Sequence, residues 1–312
     1  MAMEAHSTNP GGIRVIFAAL LVGLTLLFFA LIFYMAMIVV LPRTFSSEKM
    51  YQVQVQKGRL DEEYFNLLKK REIYIPSTNG YSLYGIYFPH SNSERTVILV
   101  HGITHNLYGV FQYVPIFHEL GYNVLAFDLR NHGRSGGHNT TFGYYEKADL
   151  KAVTDWAFQQ LQGNGIVGTF GVSLGAAIAL QHAAIDQRIS FVIADSSFSD
   201  LYDLIRIRLK KDAHLPVFPF LTIMNFYVYL LTGMHFRDAS PIRAIPKVEC
   251  PVLLIHSKND TYIPPQMTID LYEAKTQGKR MLYLASGANH AEAYWQDQVE
   301  YKRQIEIFLN QV

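Results

Sequence analysis

The residues Gly171-Val172-Ser173-Leu174-Gly175 set a serine between two glycines, and their flanks decide what that serine can do. Residues 166–170 before it form a short apolar run suited to a buried strand, and residues 174–184 after it have helical composition. A strand that turns sharply into a helix at the serine lifts the hydroxyl above the sheet, the geometry of a nucleophile elbow. Glycine at 171 and 175 removes side chains that would collide with the neighbouring strand and helix. A serine hydroxyl is a poor nucleophile at neutral pH, so it needs a base, and the base needs an orienting carboxylate. Asp260, in Ser257-Lys258-Asn259-Asp260, and His290, in Gly287-Ala288-Asn289-His290, supply both. The chemistry of such a set is acyl transfer, with Ser173 attacking a carbonyl, His290 moving the proton and Asp260 fixing the imidazole. The oxyanion that forms needs two backbone donors. The Leu174 N–H, directly after the nucleophile, is one. The other is expected in His101-Gly102-Ile103-Thr104-His105-Asn106, where Gly102 permits close approach. The Ile103 N–H is preferred there over Thr104, and His101 reads as a structural residue at a strand end.

Strand and helix signals alternate around these residues. Residues 72–75 and 81–88 are strand-like and joined across Ser77-Thr78-Asn79-Gly80, a hairpin turn signal. Further strands are expected at 96–101, 123–127, 166–170, 191–194, 252–256 and 280–284. Helices are expected at 107–120, 144–161, 174–184, 265–274 and 297–310, with Gly121 and Gly163 as closing residues. This rhythm predicts a mostly parallel sheet with helices on both faces. Asp260 and His290 each follow a strand, which puts them at the carboxyl edge where ligands meet open α/β sheets. One segment, about 197–245, has no strand signal. Within it, residues 213–236 form 24 positions without Asp, Glu, Lys or Arg. It reads as an inserted helical cap. A second membrane span is the weaker reading, because Pro216 and Pro219 leave only a short apolar core.

The chain has 312 residues, 50% of them hydrophobic and 17% charged, which excludes a disordered chain. A formal net charge of +1 gives no field for nucleic acid, and a single cysteine, Cys250, excludes an internal disulfide. The apolar excess is concentrated in residues 15–41, 27 positions without Asp, Glu, Lys, Arg, His, Asn or Gln. About 20 apolar residues span a bilayer as a helix, and a cleavable signal has a shorter apolar region with a small-residue cleavage site. An uncleaved single-pass anchor is therefore expected, and without it the remainder is about 46% hydrophobic, ordinary for a globular body. Lys49, Lys57, Arg43 and Arg59 favour a cytoplasmic body by the positive-inside rule, while Arg14 lies closest to the membrane on the other side. The side is left open. The chain divides into a tail and anchor at 1–43, a juxtamembrane connector at 44–71 with helical spacing at Leu60, Tyr64, Leu67 and Leu68, and a catalytic body at 72–312.

Three other signals are set aside. Gly163-Asn164-Gly165-Ile166-Val167-Gly168 has dinucleotide-fingerprint spacing but precedes its strand, so no phosphate-binding helix follows. His101 and His105 lack the glutamate of the zinc-protease helix. Asn139-Thr140-Thr141 and Asn259-Asp260-Thr261 are formal glycosylation sequons, and a glycan at the second would obstruct the site.

His101-Gly102, then Asp128-Leu129-Arg130-Asn131-His132-Gly133-Arg134-Ser135-Gly136, the serine elbow, Ser240-Pro241 and Pro251-Val252-Leu253-Leu254-Ile255-His256 together resemble the α/β-hydrolase superfamily. Within it the chain resembles membrane-anchored serine hydrolases of the serine-aminopeptidase or lysophospholipase groups. The resemblance covers about residues 70–312. It implies an α/β-hydrolase fold, a cap domain where the insertion lies, and a role for residues 128–135 in holding the site. The expected activity is hydrolysis of a carboxylic ester, acyl or lipid-like, through Ser173, His290 and Asp260, with no metal or organic cofactor. A serine at the elbow argues against haloalkane or epoxide chemistry, which uses an aspartate there. The alternatives are an aminopeptidase-type amide hydrolase, which would need acids for a substrate amine in a cap that holds only Asp200, Asp203, Asp212 and Asp238, and a non-catalytic membrane protein that binds a ligand or partner.

Overall fold

The computed structural model describes residues 10–312, so residues 1–9 of the expected tail lie outside the described residues. The eight expected strands all form, within a residue or two of their expected bounds: β1 (Arg71–Pro76), β2 (Ser82–Phe88), β3 (Arg95–Val100), β4 (Asn123–Phe127), β5 (Ile166–Val172), β6 (Phe191–Asp195), β7 (Val252–Ser257) and β8 (Arg280–Ala285). They make one sheet in the order β1-β2-β4-β3-β5-β6-β7-β8. β1, β2 and β4 pair antiparallel, and β4, β3 and β5 to β8 run parallel. Connections between parallel neighbours need a crossover, and the helices supply it on both faces. The alternation along β3 shows the two layers: Val97 and Leu99 face one core, Ile98 and Val100 the other, all fully buried. This is the α/β-hydrolase arrangement.

In chain order the helices are α1 (Pro10–Val40), α2 (Ser47–Gln56), α3 (Glu62–Leu67), α4 (Val114–Glu119), α5 (Glu146–Gln160), α6 (Leu174–Ala183), α7 (Leu201–Lys211), α8 (Phe220–Thr232), α9 (Pro241–Ala244), α10 (Pro265–Ala274), α11 (Ala293–Gln296) and α12 (Gln298–Leu309). The helix expected over 107–120 is in two parts, a 3-10 helix at Leu107–Tyr113 and then α4. Pro115 is the reason. Its missing N–H cannot bond the Phe111 carbonyl, so that oxygen takes the Val114 N–H at the tighter spacing instead.

The connector packs on the body. α2 and α3 lie against the sheet face that carries α4 and α12, and Leu60 and Phe65 are buried there with Phe88 and Phe111. Leu67, on the other side of α3, is 78% exposed. The cap is α7 and α8, followed by short turns that lead into β7. α8 has 13 residues, about 20 Å of helix, too short for a hydrocarbon core about 30 Å thick.

α1 has 31 residues, about 46 Å of helix, and is the one helix among the described residues long and apolar enough to cross a membrane by length and composition. Its two halves differ. Val15, Leu20, Leu24 and Leu27 are exposed. Further along, Ile32, Ala36 and Val40, four residues apart, are fully buried in the core that includes the cap. Phe28 and Phe33 meet Phe220 and Tyr227 of α8 edge to face at 5.3 and 5.2 Å. The Thr140 N–H donates to the Val40 carbonyl at 2.8 Å, which ties the end of α1 to the body.

Candidate active site

β5 ends at Val172 and α6 starts at Leu174, so Ser173 alone makes the turn, at φ 55° and ψ −114°. No regular element offers that conformation to a side-chain-bearing residue. Its neighbours hold it there. The Ser173 N–H donates to the Asp195 carbonyl at the end of β6 at 2.7 Å. A Cβ at Gly171 would lie 2.3 Å from the Gly175 carbonyl oxygen, and one at Gly175 would lie 2.0 Å from the Val100 carbonyl oxygen. Both expected glycine requirements are therefore met by backbone, which cannot swing away. At Gly102 a Cβ would be 3.4 Å from the Ser173 Cβ, an ordinary contact, so the loop lies close to the serine without demanding glycine.

Three expected residues converge. The Ser173 hydroxyl donates to His290 Nε2 at 2.9 Å, and the His290 Nδ1–H donates to Asp260 Oδ2 at 2.6 Å. Asp260 Oδ1 accepts the N–H groups of Tyr262 and Ile263 at 2.8 and 2.9 Å. Burial would raise the Asp260 carboxyl, but hydrogen bonds from His256 and His290 outweigh it and hold the group well below the usual carboxylate range. Tyr262 packs on the His290 ring with centroids 5.1 Å apart.

His256 is a site residue that sequence reasoning placed only in a strand. It is fully buried at the end of β7, with Nε2 3.0 Å from Asp260 Oδ2 and 2.9 Å from the Ile263 carbonyl. Nδ1 lies 2.6 Å from the Thr268 hydroxyl. It therefore holds the same Asp260 oxygen that His290 reaches. The one available signal was its place at the strand end, four residues before Asp260.

Leu174 is the first residue of α6, where a helix N–H has no intrahelical acceptor and the helix dipole is positive. Among the described residues no backbone acceptor takes the Ile103 N–H. Thr104, the second choice, has φ 65°, and its carbonyl accepts from Phe45. His101 is structural: its Nε2 accepts the Leu129 N–H at 2.9 Å and its Nδ1–H donates to the Gly102 carbonyl at 2.8 Å. Full burial lowers its pKa well below the ordinary value and keeps it neutral. Asp128 secures the loop implied by the resemblance, accepting the Leu107 and Arg134 N–H groups at 2.8 Å each. No cluster of His, Cys, Asp or Glu among the described residues is arranged to hold a metal ion.

Two cavities meet at Ser173. The apolar one, about 750 Å³, is lined by Leu174, Phe142 and Phe198 of the body, Leu204 and Ile205 of α7, and the end of α1. The more polar one, about 480 Å³, is lined by His290, Gln112, His105, Lys57 and Arg59 among others. Burial, with the nearby charges of Lys57 and Arg59, lowers the pKa of His105. Ile103 and Thr104 lie between the two.

Known proteins share this architecture. YqkD of Bacillus subtilis is 36% identical over 267 residues, 85% of this chain and 87% of its own. The esterase Pf2001 of Pyrococcus furiosus superposes with a TM-score of 0.66 at 25% identity, over 81% of this chain and 96% of that one. The lysophosphatidylserine lipase ABHD12 of Danio rerio is 27% identical over 175 residues, 54% of this chain but only 44% of the lipase. Residues 43–211, more than half of the chain, match the family described as X-Pro dipeptidyl-peptidase (S15 family), and that span takes in the Gly102 loop and Ser173 but stops before Asp260 and His290. The sheet order and the family match agree, and the chain belongs to the S15 family of α/β hydrolases.

Proposed function

We propose that the protein is a serine hydrolase that cleaves carboxylic esters with apolar acyl groups, and that α1 anchors it in a membrane. The observation that carries the reading is the hydrogen-bonded series from Ser173 through His290 to Asp260, opening on an apolar cavity at the carboxyl edge of the sheet. As Ser173 Oγ attacks the ester carbonyl carbon, His290 Nε2 takes its proton, and the carbonyl π electrons move onto oxygen. The Leu174 and Ile103 N–H groups hold that oxyanion. Asp260 keeps the His290 Nδ1–H in place and stabilises the imidazolium. The carbon–oxygen bond to the alcohol then breaks, and the His290 proton goes to the departing oxygen. Water, activated by the same imidazole, releases the acid and restores Ser173.

The cavities support a placement for the two halves of the ester. The leaving oxygen must sit beside the acid that protonates it, and His290 lines the polar cavity. The alcohol therefore goes toward Lys57 and Arg59, and the acyl chain goes to the apolar cavity beside Leu174 and Phe142. A single-chain lipid ester has this division, and the Danio rerio relative is named as a lysophosphatidylserine lipase.

The S15 match favours a second reading, peptide hydrolysis by the same residues. Recognition of a peptide's terminal amine needs an unpaired carboxylate. In the apolar cavity Asp212 pairs with Arg208, and in the polar cavity Glu292 pairs with Arg59 at 3.5 Å. The other cap acids are also engaged: Asp200 with the Ser240 hydroxyl, Asp203 with Arg206, Asp238 with the His235 N–H. Membrane anchoring is supported by the apolar exposed half of α1, and removal of α1 as a signal would strip Ile32, Ala36 and Val40 from the core.

A fluorophosphonate probe should label the wild type at Ser173. Ser173→Ala should abolish labelling and lower turnover of a short p-nitrophenyl ester at least about a thousandfold. Labelling that survives in Ser173→Ala rejects the assignment. Faster turnover of aminoacyl-anilides than of esters selects the peptidase reading.

A further inference from the structure

The end of α1 carries two stripes. Ile32, Ala36 and Val40 face the cap and body. Tyr34, Met37 and Ile38, spaced as i, i+3 and i+4, line the apolar cavity that contains Ser173, joined by Val39 and by Leu41 just past the helix end. A helix that served only as a tether would have no reason to turn a second face into the substrate cavity. Tyr34 and Ile38 are 57% and 53% exposed although they line it, so they form part of its rim, in a lining that also holds Ile205 and the Arg208–Asp212 pair. Counting about 20 residues of bilayer span from Arg14 brings the membrane boundary to Tyr34, an aromatic suited to that depth. The rim then lies where the acyl chains of the bilayer meet their polar groups.

On the esterase reading given above, we propose that the last turns of the anchor helix are a specificity-determining wall of the acyl cavity, and that Ile38 reads acyl-chain length. The substrate class is an ester whose acyl chain extends from Ser173 along α1. Chains too short to reach Ile38 lose that contact, and chains that pass it gain more.

The test uses full-length protein in detergent micelles and p-nitrophenyl esters from butyrate to tetradecanoate. The readout is the ratio of kcat/KM for dodecanoate to that for butyrate. The wild type should favour the longer chain. Ile38→Trp narrows the cavity and should lower the ratio roughly tenfold, the scale on which apolar pockets discriminate. Ile38→Ala should move the optimum to longer chains. Leu21→Trp, on the exposed half of the same helix, should keep the wild-type profile. Fluorophosphonate labelling of each variant reports whether its site is assembled, and if Ile38→Trp is not labelled, Ile38→Ala decides. A wild-type preference for butyrate, or unchanged ratios in labelled Ile38 variants, overturns the inference while leaving the serine esterase reading intact. A wild type that is neither labelled nor active on any ester overturns both.

Discussion

Gly175→Ala adds one methyl group at the point where α6 meets β3. The added Cβ would stand 2.0 Å from the Val100 carbonyl oxygen, 2.6 Å from its carbon and 2.8 Å from the His101 carbonyl oxygen. All three are backbone atoms: two belong to β3, a strand bonded on both sides to β4 and to β5, and the third lies one residue past its end. Real contacts of this kind begin near 3.0 Å, so the start of α6 has to retreat by about 1 Å. Overpacking of this kind costs about 1–3 kcal/mol, and each kcal/mol lowers Tm by about 2–4 °C in domains of 150–250 residues. The functional effect should be larger. The retreat carries Leu174 N–H and Ser173 away from the Gly102–Ile103 loop, and misplacing reacting groups by 1 Å costs about a hundredfold. The expected result is a folded variant with a modestly lower Tm and kcat reduced about a hundredfold on a short ester. Gly23→Ala is the control, since a Cβ there meets nothing within 4 Å. Thermal melting with ester kinetics and fluorophosphonate labelling rates reads all three quantities. Gly175→Ala with wild-type kcat and Tm would refute the claim that backbone contact between β3 and α6 sets the serine.

His256 acts through Asp260, so His256→Ala should lower kcat about a hundredfold with little change in KM, and His256→Gln, which keeps a donor, should restore part of it. Equal losses in kcat for both, with KM rising, would mean the residue serves substrate binding or the fold instead. Asp186 gives a pH test. Burial opposes its charge, but the Arg188 guanidinium, at 2.5 and 2.7 Å, holds its carboxyl well below the ordinary value. A depressed folded pKa stabilises above the unfolded value near about 3.9 and loses that contribution as pH falls through the folded one. Asp186→Asn should therefore lower Tm at pH 7, and the gap to wild type should close as pH falls below about 4. A gap constant from pH 7 to pH 3 would show that the pair contributes no linked stability.

The strands and the three converging side chains were legible because each has a local signature. Ser173 has its glycines, and Asp260 and His290 follow short apolar runs of strand length, β7 fully buried and β8 half-buried at the sheet edge. The division of residues 107–120 was less visible, because Pro115 sits within otherwise continuous apolar spacing. His256 was hidden for a different reason. Its contact with Asp260 depends on how the turn after β7 folds back, and a histidine at a strand end has no distinguishing pattern. The two stripes of α1 were invisible for the opposite reason. Residues 15–41 are apolar on every side, so no change in polarity marks Ile32, Ala36 and Val40 as core or Ile38 as rim. Periodicity reports a boundary between water and core, and here one face meets protein and another is proposed to meet lipid.

The buried stripe of α1 also governs how this molecule comes apart. Ile32 and Val40 are side chains of the kind whose full burial contributes about 1.5–3 kcal/mol each, and the Val40 carbonyl is bonded to Thr140. A hydrophobic segment of this kind is not a module. Trimming the chain at residue 43 to obtain a soluble fragment would uncover the apolar side of α8 and open the apolar cavity along one wall. Grafting an unrelated apolar helix in its place would supply the wrong surface to both. α1 and the α/β body have to be inherited together, as one folding unit.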